Sequence, residues 1–277
     1  MDYPEQPMAH YKSFATTIRK HVLRMTHRVR SSHVGTSLSM IDLLTVLYTK
    51  VLKVHPAKPD WPDRDRFILS KGHGCGSVYA VLAERGFFPM KWLDTFFQDG
   101  SHLMGHITHH GVPGVEASTG SLGHGLSIGC GMALAGKRDA RDYRVFVMLS
   151  DGECDEGSTW EPALFAPHHR LDNLIAIVDY NKIQSLGRVE DVIDLEPLGD
   201  KWRAFGWAVQ EIDGHDFQQI EDALLSIPFK SQQPSCIIAH TVKGKGVSFM
   251  ENQLIWHYYS PDKEELAQAL AELEVSE

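Results

Sequence analysis

The chain has 277 residues, 43% of them apolar, enough to bury one large core or two small ones and too many for disorder to be the default. A formal net charge of -9 with no Lys/Arg block argues against a nucleic-acid binder and against a polybasic membrane anchor. Scattered cysteines without a C-x-x-C pair, an acidic N-terminus containing Pro4 and Pro7, and no apolar run near the roughly 20 residues of a membrane span lead us to expect a soluble cytoplasmic protein with reduced thiols.

From about residue 10 to residue 30, Phe14, Ile18, Val22, Met25 and Val29 recur at steps of three and four, the period of an amphipathic helix. Ser39 and Asp42 then read as a capping box opening the apolar stretch MIDLLTVLYTKVL. Two helices, within about residues 8–52, are therefore expected before any strand. From Arg66 the texture changes. Short Val/Ile-rich runs, RFILS, RVFVMLS, NLIAIVDY, WAVQEI and SCIIAHT, alternate with helix-length segments, the first of which, CGSVYAVLAERG, closes on Gly86. SLGHGLSIGCGMALAGK, STWEPALFAPHHR and FQQIEDALLSI follow, and a last amphipathic helix is expected at about 261–274. Strands apolar on both faces, each followed by a helical crossover, predict an α/β fold: a doubly wound, mostly parallel sheet with helices on both faces. No repeat, low-complexity tract or linker interrupts residues 1–277, which read as one domain.

In an open parallel sheet, ligands bind at the carboxyl ends of the strands. Here the turns after the apolar runs carry Lys71-Gly72-His73, Asp151-Gly152-Glu153, Asn181-Lys182-Ile183 and VKGKGV. If the strands before Asp151 and Asn181 are neighbours, about 4.8 Å apart, their side-chain oxygens can meet on one ion. A carboxylate and an amide oxygen are hard donors suited to Mg²⁺ or Ca²⁺, and Mg²⁺ takes its remaining donors from water and phosphate at about 2.0 to 2.1 Å. Gly152 leaves room for close approach, and the N–H groups opening the next helix favour an anion. A single Asp-Gly after a strand is more often a plain turn. Two such oxygens on consecutive strands, beside anion-friendly turns, describe a diphosphate held through a cation.

The strings SSHVGTSLS, RDRFILSKGH, GVEASTGSLGHGLSIGCGMALAGK, SDGECDEGSTWEPALFA, LDNLIAIVDYN, FGWAVQEIDGHD and TVKGKGVSFME stand in this order along nearly the whole chain. Together they resemble transketolase, in the thiamine-diphosphate-binding N-terminal part found in split, two-subunit transketolases. The resemblance implies that Asp151 and Asn181 hold Mg²⁺ with the backbone carbonyl of Ile183, with Ca²⁺ or Mn²⁺ as substitutes. It implies that His73 and His257 contact the diphosphate, while His33 and His106 line the channel above the reactive carbon, bind the sugars and assist proton transfer. Gly120, Ser121 and Leu122 would form the loop beside the cofactor, with Gly152 and Glu153 also at the cofactor. Glu156 and Glu161 would lie near the contact between the two cofactor sites of a dimer. Four positions depart from the family's pattern: Ser150 stands for a Gly, His124 for a Gln, Ile107 for a Pro and Tyr258 for a Gly. They put the usual sugar phosphates in doubt as substrates.

By the same resemblance, thiamine diphosphate supplies the electron sink for moving a two-carbon ketol unit from a ketose to an aldose. The activating glutamate, the pyrimidine pocket and most substrate-phosphate contacts belong to a following domain. The chain ends before such a domain, so the expected partner is a C-terminal transketolase subunit, in a heterotetramer. Two other readings stay open: a related ketol or aldehyde transferase acting on an unusual sugar, and a subunit that serves only as a non-catalytic scaffold. A nucleotide-binding module is disfavoured, because neither G-x-G-x-x-G nor G-x-x-x-x-G-K-[ST] occurs.

Overall fold

The computed structural model describes residues 7–275. The first amphipathic pattern forms α1 (Met8–Val29), which ends on Arg30 in the left-handed conformation. The second expected helix is broken into α2 (Val34–Ser39), α3 (Ile41–Val46) and a π turn at Leu47–Val51. The capping box does not form. Ser39 Oγ instead donates to the Thr36 carbonyl at 2.9 Å and to Asp179 at 2.5 Å, and Asp42 is taken by Arg19. Buried charged partners make stronger hydrogen bonds than a backbone amide, so tertiary contacts override the local motif.

The Val/Ile-rich runs become β1 (Arg66–Leu69), β2 (Val145–Ser150), β3 (Leu174–Tyr180), β4 (Ala208–Asp213) and β5 (Ser235–His240). They pair in the order β1-β2-β3-β5-β4, every pair parallel. All residues of β2 and β3 are buried, whereas the edge strand β4 is half-exposed. Successive side chains point to opposite faces. Phe146, Met148, Ile175 and Ile177 accordingly pack in one core with α1, α3 and the later helices α4 (Cys75–Glu84), α9 (Phe217–Leu225) and α10 (Lys263–Val275). Val145, Val147, Leu149, Ala176 and Val178 pack in the other, under α5 (Gly125–Arg138), α6 (Gly157–His168) and α8 (Leu198–Ala204). A single turn, α7 (Val189–Val192), lies between β3 and α8.

The doubly wound architecture is therefore as expected, and the four predicted helical segments become α4, α5, α6 and α9, while α7 and α8 between β3 and β4 were not foreseen. Gly86 takes a positive φ just past the end of α4, as its place after the last apolar residue suggested. Among the described residues, no helix is long and apolar enough to cross a membrane.

Candidate functional site

Parallel pairing places the ends of β2 and β3 side by side, with Ser150 opposite Asp179. The chain then turns at Asp151, and on the neighbouring strand at Asn181. Asp151 Oδ1 accepts from Gly152 N at 2.8 Å and Oδ2 from Lys182 N at 2.6 Å, so one carboxylate ties the two turns together. Asn181 Oδ1 accepts from Ile183 N at 3.2 Å. Lys182 holds a φ of 69°, and this left-handed residue reverses the chain so that Ile183 also faces the cavity. Gly152 is a close approach: a Cβ there would sit 3.1 Å from Gln184 Cβ.

These groups line a cavity of about 390 Å³. Its other wall is a cluster of imidazoles. His33 lies with its ring centroid 4.9 Å from His73, 5.1 Å from His257 and 6.0 Å from His106, and His73 is 5.9 Å from His257. The His33 backbone, at φ 72°, donates from N to the His257 carbonyl at 3.0 Å, which joins the start of α2 to the turn near residue 257. Gly120 and Leu122 complete the lining, and a Cβ at Gly120 would meet His106 Cδ2 at 2.9 Å.

Burial lowers the basicity of His33, His73 and His257, and neighbouring positive charge lowers it further. His33 falls from 6.5 to about 4 through burial, His106 and Lys243, and His257 to about 3 through burial, Lys243 and His33. His73 is lowered well below its ordinary value by burial and then Lys71. At neutral pH these three are neutral, each with one ring nitrogen donating and one accepting.

Beneath the cavity lies a polar network that sequence reasoning missed. Asp179, wholly buried in β3, accepts from Lys71 Nζ, Ser39 Oγ and Thr241 Oγ1, and Lys71 Nζ also donates to Thr36 Oγ1 at 3.0 Å. Burial raises the Asp179 pKa, but Lys71 and the hydroxyls outweigh it and hold the carboxyl below its ordinary value. Asp151 moves the other way, raised to about 6 by burial and the charge of Asp179, against weaker opposition from its amide donors and Lys243. Lys243 is the second missed residue: its Nζ lies 2.8 Å from the Ile183 carbonyl and 2.9 Å from His257 Nδ1. A charged residue inside the otherwise apolar run LIAIVDY was the available signal for Asp179.

Four further predicted residues stand at the margin of the cavity or outside its lining. Glu153 does not line the cavity. Its buried carboxylate turns inward, accepting from Ser70 Oγ, from Gly123 N at 2.8 Å and from Ser150 N at 3.3 Å, and so pins the loop carrying Gly120 and Leu122. Ser121 is exposed and outside the cavity lining. Glu156 reaches the cavity rim, while Glu161 lies on α6 beside Cys130 and Phe165 in a separate shallow groove. Of the departures, Ile107 is core, His124 is exposed, and Ser150 lines the cavity while its Oγ accepts from Glu153 N at 3.2 Å. Tyr258 Oη donates to the Ser185 carbonyl, linking the turn after His257 to the cavity-lining segment around residue 185.

The residues at the strand ends fit a divalent ion and a diphosphate. A carboxylate, an amide and a backbone carbonyl are hard oxygen donors, and a buried carboxylate whose pKa is raised gains from a cation beside it. Among the described residues, no cluster of three or more His, Cys, Asp or Glu suits a metal, so the donor set rests on this mixed group of oxygens.

Comparison with known proteins identifies the family. Residues 10–275 match the family described as transketolase, thiamine diphosphate binding domain. The chain is 45% identical over 260 residues to the 6-deoxy-6-sulfo-D-fructose transketolase subunit SqwG of Clostridium sp. (strain MSTE9), covering 94% of each chain. It is 42% identical to an apulose-4-phosphate transketolase subunit of Phocaeicola vulgatus, covering 92% of this chain and 90% of that one. The structure of transketolase from Leishmania mexicana superposes with a TM-score of 0.92 at 32% identity, over 97% of this chain but only 42% of that one. The chain thus spans about two fifths of a full-length transketolase. It belongs to the transketolase family, as its thiamine-diphosphate-binding domain.

Proposed function

We propose that this chain is the cofactor-anchoring subunit of a split transketolase, which moves a two-carbon ketol unit from a ketose to an aldose. The carrying observation is the Asp151–Lys182 hydrogen bond, which sets the carboxylate, Asn181 and the Ile183 carbonyl around one edge of a cavity walled by histidines. When bound, thiamine diphosphate supplies the electron sink for breaking the ketose carbon–carbon bond. The chain's own residues bind and orient. Asp151, Asn181 and the Ile183 carbonyl would hold Mg²⁺, with Ca²⁺ or Mn²⁺ as substitutes. His73 and His257 would face the diphosphate. His33 and His106 would hold sugar hydroxyls and pass protons, and the neutral state of His33 suits it to do either.

The two relatives matched over nearly their whole length are named as subunits, which supports a partner polypeptide. That partner would be a C-terminal transketolase subunit with the activating glutamate, in a cytoplasmic heterotetramer with Glu156 and Glu161 near the contact between cofactor sites. A second reading, an unusual sugar as substrate, is favoured by the Tyr258 bond across to Ser185, where the family's pattern has a glycine. The names of the relatives, which carry 6-deoxy-6-sulfo-D-fructose and apulose-4-phosphate, point the same way.

Calorimetry with thiamine diphosphate and Mg²⁺ tests the anchoring role. Wild type binds in the reconstituted complex, and Asp151→Ala abolishes the Mg²⁺-dependent part of that affinity. Ketol transfer should require the partner, and robust turnover by the verified single chain would refute the split-enzyme reading.

A further inference from the structure

We infer that a second cavity, between α1 and α10, is a binding site for a phosphate monoester with an apolar body. Its volume of about 910 Å³ exceeds the 390 Å³ of the histidine-walled cavity, with which it shares no lining residue, and falls in the range of small-molecule sites. On α1, Lys12, Thr16 and Arg19 stand at i, i+4 and i+7, one face of the helix, and all three line the cavity. Lys245 and Gly246, in the loop after β5, lie beside Arg19, while Phe217 and, from α10, Leu273 and Val275 supply apolar lining.

The carboxylates here are spent on the protein. Asp42 accepts from Arg19 and meets His215, Glu251 accepts from Gly246 N at 3.1 Å, and Glu272 accepts from Ser248 N at 2.7 Å and Ser248 Oγ at 2.9 Å. The donors are not all spent. Arg19 is 7% exposed and uses Nε on the Lys245 carbonyl at 3.1 Å and Nη2 on Asp42, but among the described residues its Nη1 has no partner. Thr16 is equally buried, and among the described residues its hydroxyl has none either. Lys12 is exposed and forms no ion pair among them. Polar groups this far from bulk water cost free energy until something meets them. The guanidinium is also held in place: Gly246 sits at a φ of 93°, and a Cβ there would lie 2.8 Å from Arg19 Cδ and Nε, so bare backbone seats the side chain. Guanidinium, hydroxyl and ammonium are donors suited to anionic oxygens, of which a phosphate monoester offers three, and its organic part would lie on the apolar lining.

Calorimetry of the full chain tests this with phenyl phosphate as the probe and with inorganic phosphate and phenol as its two halves. Phenyl phosphate should bind one to one with a Kd at or below about 1 mM, inorganic phosphate about tenfold more weakly, and phenol not measurably. Thr16→Val keeps the shape and should weaken phenyl phosphate about tenfold, as losing one hydrogen bond to a charged group would. Lys12→Met should weaken it a few-fold, as losing an exposed ion pair would. Neither variant strands a buried charge, unlike a change at Arg19, which would leave Asp42 without its partner. No saturable binding, or binding unchanged in Thr16→Val, overturns the inference. Displacement of phenyl phosphate by thiamine diphosphate and Mg²⁺ overturns it too, because the probe would then sit in the histidine-walled cavity, and this wild-type measurement decides even if a variant fails to fold. Inorganic phosphate bound as tightly as the ester would overturn the assignment to a monoester.

Discussion

Asp42 and Asp151 are almost equally buried, 3% and 2% exposed, yet they stand in opposite electrostatic states. Asp42 lies among the helices on one face of the sheet. Both its oxygens meet the Arg19 guanidinium at 2.8 Å, and His215 Nδ1 lies 2.8 Å from Oδ2. Burial raises its pKa, but Arg19 and His215 outweigh that and hold it below the ordinary value. Asp151, at the sheet's carboxyl edge, meets only two backbone amides, and burial together with the repulsion of Asp179 raises its pKa against them. A buried carboxylate closed by a guanidinium is a structural part. One met by neutral donors, facing a cavity, is a place for a cation to bind.

The largest expected effect separates the two by stability. Asp42→Ala leaves the Arg19 charge buried with its carboxylate partner gone and should cost about 3–5 kcal/mol, read as a lower urea midpoint. Asp151→Asn keeps the shape but turns one of two acceptor oxygens into a donor facing a backbone N–H, so the cofactor-free protein should lose only about 1–2 kcal/mol. Its thiamine diphosphate–Mg²⁺ affinity should instead fall about 100-fold, or roughly 2.7 kcal/mol, by calorimetry. If Asp151→Asn unfolds the protein while Asp42→Ala is tolerated, the distinction between the two sites collapses.

A smaller effect probes the residue that changed role. Glu153 holds Ser70, Gly123 and Ser150 at once, and burial raises its pKa. Glu153→Gln keeps the shape but replaces one acceptor oxygen by a donor facing N–H groups, which should cost about 1–2 kcal/mol. Cofactor affinity should drop only a few-fold, because the loop carrying Gly120 and Leu122 loosens while the metal donors stay. A loss as large as that of Asp151→Asn would return Glu153 to direct contact with the cofactor.

The strands and most crossover helices were legible in the sequence because each signal survives in a single stretch of chain, as the continuous apolar runs RVFVMLS and LIAIVDY show for strands buried on both faces. The strand-end turns were legible for the same reason: each carries its own signal, and the parallel order of the sheet brings them to one edge. What escaped were pairings between distant positions. Lys71 and Asp179 are 108 residues apart, and neither string names the other. Ser39 read as a helix cap because the competing carboxylate, 140 residues on, cannot be seen locally. Glu153 shared a turn with Asp151 and Gly152 and was given their role. A 3₁₀ turn at Gly152–Asp155 sends its side chain inward, below the level of secondary-structure patterns.

The smallest effect, and the one that sharpens the comparison most, is the response to acid. His33 and His257 have folded-state pKa values of about 4 and 3 against an ordinary 6.5. Above pH 6.5 the rings are neutral in both states and contribute nothing to pH dependence. As pH falls from 6.5 toward 4, the unfolded chain takes up protons that the folded site refuses, so stability declines. Asp42 acts in a different window: its pKa is lowered from 3.8, so its contribution is intact throughout this range and is lost only as pH falls further. Both rings are partly solvated, which reduces the ideal linkage to about 1 kcal/mol each between pH 7.5 and 5. In thermal melts, the wild type should lose roughly 4 °C more over this interval than a His33→Asn, His257→Asn double variant. Equal losses would mean that the histidine wall is open to protons, and that the contrast between a closed structural cluster and a desolvated binding cavity does not extend to its imidazoles.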